Sequence, residues 1–185
     1  MPTLTLYPND DESVTMSQYG SGTGNYGRIN ETTQDDTNGV TTSSTSGQVD
    51  LYGLPDPSQD GTINSVTVHF WSKWAYSGTR VINQSYATPQ VRIGGTTYSA
   101  TAQALGNTFK GYSRAWSTNP NTESAWTWQN IKDLIVGLSL KAGTYGDTKN
   151  PTIGAAYCSW LYVIVDYTES VANKLPAHLF FQGVR

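Results

Sequence analysis

The chain has 185 residues, carries a net charge of −3, and is only 14% charged, with 11 Lys plus Arg scattered along it. That length suits one domain with a sizeable core, since a chain near this size hides roughly 70% of its unfolded surface. The sparse cations exclude the basic patch that drives phosphate binding, and the absence of a long apolar span excludes a membrane-crossing helix.

Taken in chain order, Leu4-Thr5-Leu6-Tyr7 alternates as a short strand, halted by Pro8 and the acidic run Asn9-Asp10-Asp11-Glu12. Residues 13 to 46 are rich in Gly, Ser, Thr and Asn and predict a largely looped region, with brief strands near Arg28 to Thr32 and Gly39 to Thr42. Gln48 to Tyr52 predicts a strand, and Leu54-Pro55-Asp56-Pro57-Ser58-Gln59-Asp60-Gly61 a turn, because Pro fixes φ and Gly admits positive φ. From Thr62 to Trp74 the apolar set Val66, Val68, Phe70 alternates with Thr67, His69, Trp71, which assigns one face to the core. Gln90 to Ile93 and Thr97 to Thr101 flank Gly94-Gly95, a two-residue hairpin turn that matches strand twist. Thr108 to Ser117 predicts a further strand.

Toward the C-terminus, Thr127 is placed to cap a short helical turn near 127–134, whose Trp128, Ile131 and Leu134 share a face at i, i+3, i+6. Val136, Leu138 and Leu140 then alternate, as do Leu161, Val163, Val165 and Tyr167 in the closing run. Many short strands, Gly/Pro/Asn turns and almost no helix predict an all-β antiparallel sandwich of jelly-roll type. It is expected to span residues 1–168 as one domain, followed by a tail or arm at 169–185.

The Thr127-Trp128-x-x-Ile131-x-x-Leu134 turn and the closing Val163-Ile164-Val165-Asp166-Tyr167 strand resemble the C-terminal half of a β-sandwich module found in structural proteins of tailed bacteriophages and prophages. Gly61 to Val68, Val91 to Tyr98 and Trp116-Ser117-Thr118-Asn119-Pro120 resemble the same module, so the likeness covers roughly residues 45 to 168. What the resemblance implies is a non-enzymatic virion protein, with capsid decoration preferred over a tail position. Its expected partners are other virion proteins, a major capsid or tail protein, and further copies of itself. Localisation in the virion fits the N-terminus Met1-Pro2-Thr3-Leu4, which lacks the basic and apolar regions of a signal peptide. The alternative is a glycan-binding or host-adhesion module on the tail or capsid surface.

Chemistry-bearing motifs point to no catalysis, no metal and no cofactor. Cys158 lies inside the closing strand and reads as a small buried side chain, and His69 and His178 have no identifiable catalytic partner. Asp10, Asp11, Asp35 and Asp36 read as solvated turns, their spacing unlike a calcium loop. No Gly-x-Ser-x-Gly elbow or His-Glu-x-x-His helix is present.

The aromatics are the remaining signal, with 6 Trp and 12 Tyr. Trp71, Trp74, Tyr76 and Trp116 are the expected platform if the ligand is a glycan, since flat rings stack on the apolar faces of sugars. The expected partner interface is instead Trp160, Tyr162 and Ile164, which face away from the core in the closing strand, with Leu179, Phe180 and Phe181 of the tail. The tail segment Leu179-Phe180-Phe181-Gln182-Gly183 is also similar to a protease-tag site, a third reading of it.

Overall fold

The computed structural model describes residues 2–78 and 80–170. In chain order the strands are β1 (Thr3–Leu6), β2 (Asp10–Ser13), β3 (Ser17–Tyr19), β4 (Gly39–Thr42), β5 (Gln48–Gly53), β6 (Thr62–Ala75), β7 (Val81–Asn83) and β8 (Tyr86–Ile93). They continue as β9 (Thr96–Ser99), β10 (Gln103–Ala104), β11 (Lys110–Trp116), β12 (Ile135–Lys141), β13 (Thr144–Gly146), β14 (Pro151–Ile153) and β15 (Ala155–Thr168), with α1 (Trp128–Lys132) between β11 and β12. This is an all-β antiparallel sandwich of jelly-roll type with one short helix.

The first sheet runs β11-β6-β15-β4-β3, with β1 also paired to β15, and the second runs β10-β8-β12-β5-β2, with β9 also paired to β8. A small third sheet, β14-β13-β7, stands apart from them. The core fills the space between the two large sheets. Val66, Val68, Phe70, Leu161, Val163 and Val165 meet Val91, Ile93, Val136, Leu138 and Leu140 there, with Ile131 and Leu134 of the helical turn closing one end. Gly94 and Gly95 adopt φ of 58° and 81°, the paired positive values of a tight hairpin turn between β8 and β9.

Three expected features differ. Asp10 and Asp11 form part of strand β2, paired to β5, rather than a solvated turn. The stretch from Arg28 to Thr32 is not a strand; Tyr26–Arg28 forms a single 3-10 turn instead. Trp128 is only partly buried, because α1 sits at the rim of the sandwich. Its ring meets Tyr167 edge-on at 5.2 Å, and its Nε1–H donates to the Gly61 carbonyl at 3.0 Å. The cap itself is as read: Asn130 N–H donates to Thr127 Oγ1 at 3.2 Å, and Thr127 N–H donates to Asn130 Oδ1 at 3.0 Å.

The polar region before β5 is ordered by hydrogen bonds more than by apolar packing. Asp50 is fully buried, and its carboxylate accepts from Thr15 N–H, Met16 N–H, Asn25 Nδ2 and the Tyr52 hydroxyl. Arg28 donates to the carbonyls of Tyr19, Gly20 and Gly22 and to Gln18 Oε1. Asp11 accepts from the backbone N–H groups of Asn25 and Tyr26 at 2.8 and 2.7 Å.

Leu161→Ala is expected to lower stability by about 2–5 kcal/mol, the range for a buried leucine deletion, whereas Trp160→Ala, on the opposite face, costs distinctly less. Chemical denaturation of the two variants beside the parent checks this ordering.

Candidate functional site

β15 is longer than a regular alternation allows, and the extra residue decides what its outer face presents. Ala156 and Cys158 point into the core, and so do Leu161, Val163 and Val165. Those two sets have opposite parity. A bulge between Cys158 and Trp160 absorbs the difference: Cys158 pairs with Ser72 and Trp160 with Trp71, leaving Ser159 as the unpaired extra residue. Ser159 is fully buried, and its hydroxyl donates to Asp36 at 3.2 Å. As a result Tyr157, Trp160 and Tyr162 all reach the outer face, together with Trp71 and His69 of β6.

His69, Tyr162, Trp160 and Tyr7 pack as one run of rings. The His69 and Tyr162 rings stack at 4.8 Å with an interplanar angle of 3°. Trp160 lies 4.7 Å from Tyr162, and Tyr7 flanks Tyr162 at 5.9 Å. Trp160 is fixed by donating from Nε1 to the Glu31 carbonyl at 2.5 Å, while Leu161 N–H donates to the Ile29 carbonyl at 2.9 Å, so residues 29–31 form one wall. The Trp71 ring packs against the edge strand β11 at Gly111, where a Cβ would stand 2.4 Å from the ring.

Between these rings and β11 lies a groove of about 250 Å³, lined by His69, Trp71, Gly111, Ser113, Trp160 and Tyr162 among others. Its chemistry is aromatic with a few polar groups. Trp71 Nε1–H is buried and has no acceptor among the described residues. Burial lowers the His69 pKa below its ordinary value of 6.5, so the ring is neutral at pH 7 and offers one donor and one acceptor. Burial, then the neighbouring Tyr7, raises the pKa of Tyr162 and keeps its hydroxyl protonated. None of the residues lining the groove is Asp or Glu, so it lacks the carboxylate pair that glycoside hydrolysis uses.

The platform expected from sequence is divided by the fold. Trp71 and Trp74 are three residues apart in one strand and therefore face opposite sides; Trp74 is 1% exposed and belongs to the core. Trp116 pairs with Val66 and shares its inward face, and its carbonyl accepts from Trp126 Nε1–H. Tyr76 lies beyond β6, against Trp74 at 4.3 Å and Tyr145 at 5.8 Å. Only Trp71 of the four joins the outer groove. Of the expected interface set, Trp160, Tyr162 and Ile164 share that same outer face, while Leu179, Phe180 and Phe181 lie outside the described residues.

Sequence reasoning passed over His69, Gly111, Ser113, Tyr157 and Tyr7 as members of one surface. Alternation places His69 and Trp71 together, but only the pairing registers bring Ser113 opposite His69 and Gly111 opposite Trp71. Cys158 is buried, and burial pushes its thiol up to about 11, as suits an inert core residue. Among the described residues no group of three or more His, Cys, Asp or Glu is arranged to hold a metal ion.

No family model matches the sequence, and no curated protein matches it significantly. Among solved structures, a family 16 carbohydrate-binding module aligns at TM-score 0.43 and 8% identity, covering 82% of this chain and 86% of that one. A CBM35 module from Cellvibrio japonicus Abf62 aligns at TM-score 0.38 and 13% identity, covering 90% and 95%. TmCBM61 in complex with β-1,4-galactotriose aligns at TM-score 0.39 and 10% identity, covering 89% of each chain. At this level the likeness does not bear on what this chain binds.

The lowered His69 pKa has a defined sign. As pH falls below about 6.5 the unfolded chain takes up the proton first, so stability present above that pH is lost as pH falls through the folded-state value. Melting curves between pH 7.5 and about 5.5 are expected to fall more steeply for the parent than for His69→Gln.

Proposed function

We propose that this chain is a non-catalytic glycan-binding module that holds sugar rings against the outer aromatic face of β6 and β15. The observation that supports this is the bulge at Ser159, which brings Tyr157, Trp160 and Tyr162 onto the face already occupied by His69 and Trp71. Flat, half-buried rings offer stacking surfaces for the apolar C–H faces of pyranoses. Neutral His69 and the Ser113 hydroxyl offer hydrogen bonds to sugar hydroxyls. A surface poor in charge suits a neutral, heavily hydroxylated ligand better than a polyanion.

The module's setting is a separate part of the proposal. The motif resemblance in residues 45 to 168 supports a place on a tailed-phage particle, where a glycan-binding domain serves host adhesion. A second reading, decoration of the particle through protein contacts, is favoured by a different observation. Val81 and Ile153 are 40% and 49% exposed on β7 and β14, and Tyr86 is 37% exposed at the start of β8. Such exposed apolar groups suit a protein neighbour.

Glycan-array binding is expected for the parent protein, and loss of that binding for both Trp71→Ala and Trp160→Ala. Trp116→Phe, on the inward side of β11, is expected to bind like the parent. Parent protein that binds no glycan but joins assembling particles would favour the decoration reading instead.

A further inference from the structure

The aromatic face does not stop at the groove. One strand pair further along, Lys73 of β6 lies opposite Tyr157 of β15, and beyond them Ala75 lies opposite Ala155. Lys73 Nζ sits 4.4 Å from the Phe109 ring centroid and 5.4 Å from that of Tyr157, and Tyr19 meets Tyr157 edge-on at 5.2 Å. The surface then opens into a second cleft of about 420 Å³, walled by Tyr76, Tyr145 and Ile153 and floored by Ala75, Ala155 and Tyr157. Ser43 and Ser77 stand at its margin, with Ser77 Oγ 3.1 Å from the Tyr145 hydroxyl.

Tyr157 therefore lies between the two regions. It shares the outer face with Trp160 and Tyr162 through the bulge, and it lines the far cleft itself. From the His69 row to the Ala75 row is six residues of extended chain, about 20 Å at roughly 3.3 Å per residue. A monosaccharide or a chain terminus would fill one cleft and leave the other empty.

Resting on the glycan-binding reading above, we infer that the ligand is a linear oligosaccharide chain lying along β6 and β15. One part stacks in the groove at Trp71 and Trp160, and the continuation occupies the tyrosine-walled cleft, with Tyr157 as the joint between them. The two regions then act as linked subsites, so occupancy of the second adds to affinity without any change at the first. The Lys73 stem lies along the path between the two, its ammonium held over aromatic rings.

Calorimetric titration of the parent with cello-, xylo-, chito- and β-1,4-galacto-oligosaccharides, each from disaccharide to octasaccharide, tests this. For the series that binds, affinity is expected to rise by about tenfold or more between trisaccharide and hexasaccharide. Ser43→Trp is expected to abolish that gain while keeping trisaccharide affinity within about twofold of the parent. Ser43 is exposed, so the added ring fills the cleft without entering the core, and an unchanged melting temperature verifies this. Affinity that stays flat beyond the trisaccharide, or a Ser43→Trp protein that binds hexasaccharide like the parent, would overturn the extended track and leave the groove reading standing. Failure of the parent to bind any of the four series would remove both.

Discussion

The pairing of β6 with β15 is the constraint on which the rest of the molecule depends. Both strands are 14 residues long and lie at the centre of one sheet. From Val66 to Trp74 the parity of burial along β6 does not change: Val66, Val68, Phe70, Ser72 and Trp74 all point inward. β15 keeps pace only by inserting Ser159. If the strand alternated without interruption, holding Leu161, Val163 and Val165 in the core would turn Ala156 and Cys158 outward and bring Tyr157 inward. The bulge lets both halves of β15 serve one core, and the same step gathers Tyr157, Trp160 and Tyr162 on the other side.

Core and surface are thus two consequences of one backbone irregularity, and bulges are over-represented where a strand must re-aim a side chain. The cost of the irregularity is met locally. Ser159 is buried with its hydroxyl on Asp36, Trp160 is tied to the Glu31 carbonyl, and Leu161 N–H finds the Ile29 carbonyl where neither β4 nor β1 reaches. Residues 29–36 thereby take the place of a strand beside the bulge. They are held there indirectly by Arg28 and Asp50, whose hydrogen bonds order a segment with little apolar surface of its own. Within that network Asp50 accepts from four donors, which satisfies its buried carboxylate.

Much of this was legible in the sequence where the signal was local. Alternation in Val66–Phe70 and Leu161–Val165 assigned the core face, Thr127 marked the helical turn, and Gly94-Gly95 marked a hairpin; Trp160, Tyr162 and Ile164 were correctly turned away from the core. The brief strands β7, β13 and β14 were missed because three residues carry no readable period. The division of Trp71 from Trp74 was available from spacing alone, since an odd separation within a strand puts two residues on opposite faces. The bulge was not available, because it shows only as a conflict between two correct alternations, Ala156/Cys158 and Leu161/Val163, until β6 is laid alongside. The polar anchoring by Asp50 joins residues up to 35 apart in the chain and leaves no periodic trace.

The central claim is that the outer face of β6 and β15 is the binding surface, and the indole N–H resonances of the six tryptophans report on it directly. Trp126, Trp128 and Trp160 already donate to carbonyls and Trp74 is enclosed in the core, whereas the Trp71 ring lines the groove. In a titration of isotope-labelled protein with a bound oligosaccharide, followed by proton–nitrogen correlation spectra, the Trp71 indole resonance is predicted to move most, with Trp160 next and Trp74, Trp126 and Trp128 stationary. Saturable shifts confined to Trp116 or Trp128, with Trp71 unmoved, would contradict the assignment of this face.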